Sequence, residues 1–404
     1  MIDWEPTKLG EEIELAYGKS LPSQLRKPGP YNVFGSNGAV GTNSEALVQG
    51  PGIIVGRKGS VGKLAFSAEP FWPIDTTYYV VNRKGHDWRF LYHLLRAQGL
   101  DQLNSHSAVP GLNREDVYTI EVSIPDFEEQ KLIGALLDVV EMTIDLEEQA
   151  ISEMTRLRGA VSSQLFARGL RGEIQKDTEI GRVPESWHVD RLDRYADVIS
   201  TRMSYTELEQ LETTNDDNQV KVLGIKVGDM NRPGNEKGLY HAELEKLVSR
   251  AVAEHQCAPP QTIIFPKRGA AIATNKKRLS HEWTAFDPNV IGVVSQDKLD
   301  QEYLFHWFQR FDLRTITEPG PTPQLNKKNL EPVIIPIPPT LEEQQEIVTI
   351  LEAIDDKNDL HKCKRAVADD LFNALLHMLM SGEIRVADLD LATLDQARLA
   401  EAAA

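Results

Sequence analysis

Cysteine is nearly missing: the 404 residues hold two, Cys257 and Cys363, far apart and outside any CxxC or Cys/His cluster. That scarcity argues against a disulfide framework or a structural zinc site and suits a reducing cytoplasm. No run of about 18 apolar residues occurs, so no membrane span is expected. The opening MIDWEPTKLGEE is acidic and polar, unlike a signal peptide. Signatures of chemistry are missing too. The Pro-Pro pairs at 259–260 and 338–339 lack the flanks of the Asn/Asp-Pro-Pro-aromatic signature of an N6-adenine methyltransferase. The glycine-rich GRKGSVGKL at 56–64 has Arg57 where a P-loop needs its first glycine, and Leu64 where it needs Ser or Thr. Its flanks read as strands on both sides, so a nucleotide site is set aside. Acidic residues and histidines show no paired spacing that would serve acid–base catalysis or hold a metal.

What is there is charge, unevenly spread. The net charge is −17, yet 126–153 carries nine acids and one lysine, and 342–359 seven acids and one lysine. The rest is close to balance and contains local basic clusters, so the acidic total describes two segments rather than the whole surface.

Those segments belong to a repeat. LNREDVYTIEVSIPDFEEQKLIGALL, from 112, returns at 325 as LNKKNLEPVIIPIPPTLEEQQEIVTIL. Leu112-Asn113 answers Leu325-Asn326, Ile124-Pro125 answers Ile337-Pro338, and Glu128-Glu129-Gln130 answers Glu342-Glu343-Gln344. Two occurrences mark a duplicated domain rather than a solenoid. Before each lies a region of short strands broken by turn residues. In the first, 53–66 reads as strand, basic turn, strand, 74–82 as a strand, and 88–97 as a short amphipathic helix. In the second, 262–278 stands where 53–66 stood, and YLFHWF at 303–308 answers FLYHLL at 90–95. His93 and His306 recur on that helix, which points to a structural face.

After each strand-Pro signature the period becomes helical. Ile133, Leu137, Val140, Ile144, Ile151, Met154, Val161 and Leu165 form a heptad seam interrupted only by Glu147 and Arg158. Each helix is followed by Gly-Glu-Ile, at 172–174 and 382–384. The simplest burial for two such helices is against each other, antiparallel. The expected fold is therefore α+β: two similar mixed α/β domains, each followed by a long helix, the helices forming an antiparallel coiled coil. Expected boundaries are 1–126 and 187–339 for the domains, 127–175 and 340–384 for the helices, a polar linker at 176–186 and a frayed acidic tail at 385–404.

The segment around Arg57 and Lys58 is either an exposed hairpin turn or a basic loop that touches nucleic-acid phosphate, with glycines for close backbone approach. The second copy keeps charge at the same place, with Lys267 and Arg268 and then Lys276, Lys277 and Arg278. Asp75 reads as a turn acid or a base-amino contact. Candidate DNA contacts in the first copy are Tyr31, Ser36, Asn37, Arg57, Lys58, Ser60, Lys63, Thr76 and Thr77. In the second they are Arg202, Lys226, Asn231, Lys267, Arg268, Asn275, Lys276, Lys277, Arg278, Thr322 and Gln324.

These features resemble the specificity subunits of type I restriction–modification systems, over nearly the entire chain. The resemblance rests on the two-copy layout, on SIPDFEEQKLI and IPIPPTLEEQQEI, and on the helix ends LRGEI and MSGEI; Phe127 departs from the leucine usual there. It implies a non-catalytic subunit whose two target-recognition domains each read half of a split sequence in double-stranded DNA. The helices would set the spacer between the halves. Two modification subunits would dock on the helices, with restriction subunits outside them. No cofactor would be bound by this chain; S-adenosylmethionine, ATP and Mg would belong to the partners. Rival expectations are a coiled-coil adaptor without DNA readout, a self-contained nuclease, and a subunit of a modification-only or phage-defence complex.

Overall fold

The structure, a computed structural model, describes residues 4–103, 111–212, 218–236, 238–317 and 323–389. Thr322, most of the 105–111 loop and the tail from 390 lie outside that set. The chain forms two compact units: 1–150 with 361–404, and 151–360. Each contains one copy of the repeat, and each takes one half of either long helix. Among the described residues no helix is long and apolar enough to cross a membrane.

The first copy begins with β1 (Glu5–Lys8) and β2 (Ile13–Tyr17), followed by β3 (Tyr31–Gly35), β4 (Gly38–Asn43), β5 (Gly52–Gly56), β6 (Leu64–Ser67), β7 (Phe71–Pro73) and β8 (Thr77–Asn82). Helix α1 (Trp88–Ala97) starts at Asp87, whose carboxylate accepts from the N–H groups of Arg89 and Phe90. A short α2 (Arg114–Tyr118) and β9 (Glu121–Ile124) lead into α3 (Phe127–Arg168). The strands form a sheet of order β2-β8-β5-β6, a second of order β4-β3-β7, and a β1-β9 pair.

The second copy follows with β10 (Gln175–Thr178), β11 (Gly181–Pro184), β12 (His188–Arg191), β13 (Ala196–Ile199), β14 (Gln219–Ile225), β15 (Gly238–Leu239) and β16 (Leu244–Ser249). Next come β17 (Ile263–Pro266), β18 (Arg278–Ser280), β19 (Trp283–Phe286), β20 (Val290–Ser295), α4 (Gln301–Arg310), β21 (Ile334–Ile337) and α5 (Leu341–Met380). Its sheets run β13-β20-β17-β18-β15, β16-β14-β19 and β12-β21. Each sheet of the first copy thus has its counterpart, down to the direction of pairing. β3 pairs β4 antiparallel and β7 parallel, and β14 pairs β16 antiparallel and β19 parallel. The duplication read from sequence is a duplication of topology.

The repeated Glu-Gln has a structural role in both units. Gln130 accepts from the Asp87 N–H at 3.0 Å and donates to the Pro125 carbonyl at 2.9 Å; Gln344 accepts from the Asp300 N–H at 2.7 Å and donates to the Pro338 carbonyl at 3.4 Å. One amide therefore ties the turn before the long helix to the cap of the short one. The preceding glutamates take an indole: Trp4 donates to Glu129 at 3.2 Å and Trp187 to Glu343 at 3.1 Å. Arg385, beyond the end of α5, then reaches Glu129 at 2.9 Å, and Arg171, beyond the end of α3, approaches Glu343 at 4.0 Å. Each helix therefore ends on the motif that starts the other.

The helices pack antiparallel within both units. In the first, Ile133, Leu137 and Val140 share a core with Phe372, Leu375, Leu376 and Leu379 and with Phe90 and Leu94 of α1. In the second, Leu165 and Phe166 join Ile347, Val348 and Leu351. Ile144, Ile151, Met154 and Val161 are only half-buried. The seam is therefore domain core at its ends and helix-on-helix in its middle. Both of its interruptions are paired polar contacts: Glu147 with His361 at 2.6 Å, and Arg158 with Asp355 at 3.2 Å. Polar pairs at such positions favour one register over its neighbours.

Three expectations need correction. The polar linker at 176–186 holds most of an antiparallel hairpin, β10 with β11. Its strands are polar apart from Val183 and Pro184, which are buried at the end of β11, so no alternation of hydropathy marks it. The helices are shorter than their assigned ranges, 127–175 and 340–384, because Gly169 and Gly382 take positive φ and end them. The start of the tail is not frayed: Val386 is buried in the first unit's core, with Leu389 packed beside it.

Candidate nucleic-acid interface

Strand β5 delivers its basic turn to one edge of the first unit. Arg57 N–H donates to the Thr76 carbonyl at 2.9 Å, and Leu112 N–H donates to the Arg57 carbonyl at 3.0 Å. Lys58 forms a bridge with Gly111. The Leu-Asn signature thus braces the basic turn from behind. The second unit repeats this arrangement: Lys267 N–H donates to the Asn289 carbonyl at 2.7 Å, Leu325 N–H donates to the Lys267 carbonyl at 2.9 Å, and Arg268 bridges Gln324. Arg57 and Lys267 are therefore equivalent, as are Lys58 and Arg268.

Around Arg57 the structure collects most of the first copy's candidates. Lys63 donates to the Asn37 side-chain oxygen at 2.6 Å, and Ser36 lies against Gly59. Thr76 supplies the carbonyl that holds both Arg57 and Lys58. Lys58, Lys63 and Asn37 are exposed, and Ser36, Ser60 and Thr76 half-buried. Tyr31 opens β3, at the end away from this turn. Thr77 leaves the candidate set: it is fully buried and its hydroxyl donates to the Ile74 carbonyl at 2.8 Å. The glycines do not all serve an outside ligand either. A Cβ on Gly56 would sit 2.0 Å from the Ser60 carbonyl oxygen, and one on Gly62, whose φ is +72°, 2.2 Å from Leu100. Their closeness is to the protein's own backbone.

In the second copy Lys267, Arg268 and Gln324 come together, while Arg202, Lys226 and Asn231 stand on other loops. A helical turn, Ala270–Ala273, replaces the hairpin turn. The Asn-Lys-Lys-Arg cluster is largely structural. Lys277 is 1% exposed and donates to the Phe311 carbonyl at 2.5 Å; burial pulls its pKa down to about 8 against the pull of Asp312. Asn275 donates to the same carbonyl at 3.2 Å and accepts from Leu313 N–H, and Arg278 donates to the Asn235 carbonyl at 2.5 Å. Lys276 is half-buried. Asn275, Lys277 and Arg278 therefore hold the fold, because their donors are already engaged by main-chain carbonyls or by burial.

Three residues beside Arg57 escaped the sequence reading. The Arg57 guanidinium lies 5.2 Å from the Tyr17 ring centre and 5.9 Å from that of Tyr78, and Arg114 lies 5.3 Å from Tyr17 on its own account. Tyr17 is 54% exposed. Burial, then the Tyr17 hydroxyl, pushes the Tyr78 phenol up to about 12, against the nearby Arg57 and Arg114. Arg114 directly follows Leu112-Asn113, and that adjacency was the signal available.

His93, Asp138 and Glu141 present three atoms spaced as metal ligands. The carboxylates already have cationic partners: Arg89 bonds Asp138 and Glu141, and Arg96 donates to Glu141 at 2.5 Å. Burial would raise the Asp138 pKa, but the bonds from His93 and Arg89 outweigh it and hold the acid low. The cluster is an ion-pair network that couples α1 to α3.

The model of the type I restriction modification DNA specificity domain matches residues 1–156 and 268–368. The type I restriction enzyme MjaVIII specificity subunit of Methanocaldococcus jannaschii is 22% identical, covering 96% of this chain and 94% of its own. The EcoDI specificity subunit of Escherichia coli is 23% identical over 87% of this chain and 81% of its own. Among solved structures, the type I restriction–modification S subunit from M. genitalium matches with a TM-score of 0.62 at 14% identity, covering 94% of this chain and 96% of that one. A chain from a structure titled for complex assembly and conformational transition of the type I system reaches 0.52 at 16%, covering 94% and 98%. At these identities the structural likeness is one of fold.

Proposed function

This chain belongs to the type I restriction modification DNA specificity family, and from that premise we propose that it is the DNA-reading subunit of a type I restriction–modification complex. Each α/β domain reads one half of a bipartite target in double-stranded DNA. The observation that carries this reading is the repeated edge: in both copies a basic pair, Arg57-Lys58 or Lys267-Arg268, is pinned by the Leu-Asn segment at the same point of the same sheet. Positive charge on a fixed loop supplies affinity for phosphate and brings neighbouring donors to base edges.

The chain works in the cytoplasm as a non-catalytic subunit. Two modification subunits dock on its helices and carry S-adenosylmethionine, and restriction subunits outside them use ATP and Mg. Exposed apolar side chains on the helices, among them Leu132, Met142, Leu146, Val367 and Leu371, support docking of partners there. The helices, which both units share, set the number of base pairs left unread between the halves. Mapping methylated adenines in the host genome tests this reading. A split motif lost on deletion of this chain is expected; a continuous motif, or none that depends on the chain, refutes it.

A further inference from the structure

We propose that Arg57 reads a guanine in the half-site of the first copy, whereas its counterpart Lys267 supplies charge without choosing a base. The inference rests on the DNA-reading function above and goes on to assign a base to one residue.

The Arg57 side chain is fixed before any ligand arrives. Its Nε and Nη2 donate to the Asp75 carbonyl at 3.2 and 2.6 Å, and its guanidinium packs on Tyr17 and Tyr78. The backbone is pinned at both its N–H and its carbonyl. A guanidinium has five N–H donors in one plane, and this carbonyl uses the Nε edge. Left over are Nη1 and the second hydrogen of Nη2, the end of the fork, which matches the paired O6 and N7 acceptors of guanine in the major groove. The carbonyl partner is neutral and so does not cancel the positive charge. Arg114 brings a second guanidinium to the same tyrosine. Two like charges flanking one ring favour an electron-rich ligand between or above them. Because the side chain is already ordered, little rotamer freedom is lost on binding.

Lys267 occupies the same backbone position, but its ammonium is bound by no side chain among the described residues. A lysine presents a point charge with rotating donors and has no plane to set against a base pair. The two halves of the target are thus read by different chemistry from one position of the repeat.

The test is selection from a pool of randomised duplexes by the full chain purified with its modification subunits. The wild type, Arg57→Lys and Tyr17→Leu are compared. Arg57→Lys should enrich the wild-type motif with one G·C pair relaxed on the order of 10- to 100-fold, in one half-site only. Its salt dependence should be unchanged, since the charge remains. Tyr17→Leu, at an exposed strand end, should relax the same pair to a smaller degree. If Arg57→Lys keeps the wild-type preference at every position, or blurs the whole half-site, Arg57 is only a charge or a loop brace and the proposal fails. A wild-type complex that enriches no sequence defeats the DNA-reading function itself.

Discussion

Replacing His306 with glutamine should remove a defined part of the acid sensitivity of the second unit. His306 is 5% exposed on the inner face of α4, and Arg158 of α3 donates to its Nδ1 at 3.0 Å while also bonding Asp355. An accepting Nδ1 places the ring proton on Nε2, the neutral form. Burial, and after it the Arg158 charge, lowers the pKa from 6.5 to about 4. The unfolded chain takes up this proton first as the pH falls, so the stability linked to His306 is complete above 6.5 and is lost toward 4. At pH 5 the unfolded histidine is almost fully protonated and the folded one about a tenth so, a roughly 30-fold bias that amounts to about 2 kcal/mol. The assay is urea unfolding of the full chain at pH 7.5 and pH 5, read by hydrogen exchange on peptides covering Gln301–Arg310. His306→Gln keeps an acceptor for Arg158 but cannot titrate. Its loss between the two pH values should be about 2 kcal/mol smaller than that of the wild type. Equal losses in the two proteins would mean that the folded state protonates His306 readily, and the reasoning would be refuted.

Three further outcomes are expected. Reversing Arg57 and Lys58 to glutamate should weaken binding to the first half-site and flatten the salt dependence by about one unit of slope per lost phosphate contact, and reversing Lys267 and Arg268 should do so for the second; unchanged low-salt affinity in both would remove the basic loops from the interface. His361→Leu should leave the Glu147 carboxylate without its partner and cost roughly 2–3 kcal/mol, whereas Glu147→Leu with His361→Leu should regain most of that stability in thermal melts. If the double variant is no better than the single one, the two residues are not a pair. Gln344→Leu strands the Asp300 N–H and the Pro338 carbonyl and should cost about 1–3 kcal/mol, with faster exchange at the start of α4; wild-type protection there would mean that the amide is incidental.

The repeat was legible because its motif residues do the same thing twice. Gln130 and Gln344 make equivalent bonds, so they recur as letters. The seam was legible as apolar spacing, but the partners of its gaps were not: His361 lies more than two hundred residues from Glu147, and no local pattern points there. Asn-Lys-Lys-Arg misled for a related reason. What makes Lys277 internal is the Phe311 carbonyl, from a segment that the cluster itself does not mark. Arg57 was found by charge alone. Its fixed pose depends on Tyr17 and on a backbone carbonyl, and neither is visible until β2, β5 and the turn at 74–76 are brought together.

The ending of each helix on the other's starting motif also dictates an order of assembly. The second unit is one unbroken stretch, 151–360, and can close as soon as it leaves the ribosome. The first is not: its core needs Phe372, Leu379 and Val386, which are made only after 151–360 is complete. The domain synthesised first is therefore the one completed last, and it holds an open apolar cleft throughout translation of its twin.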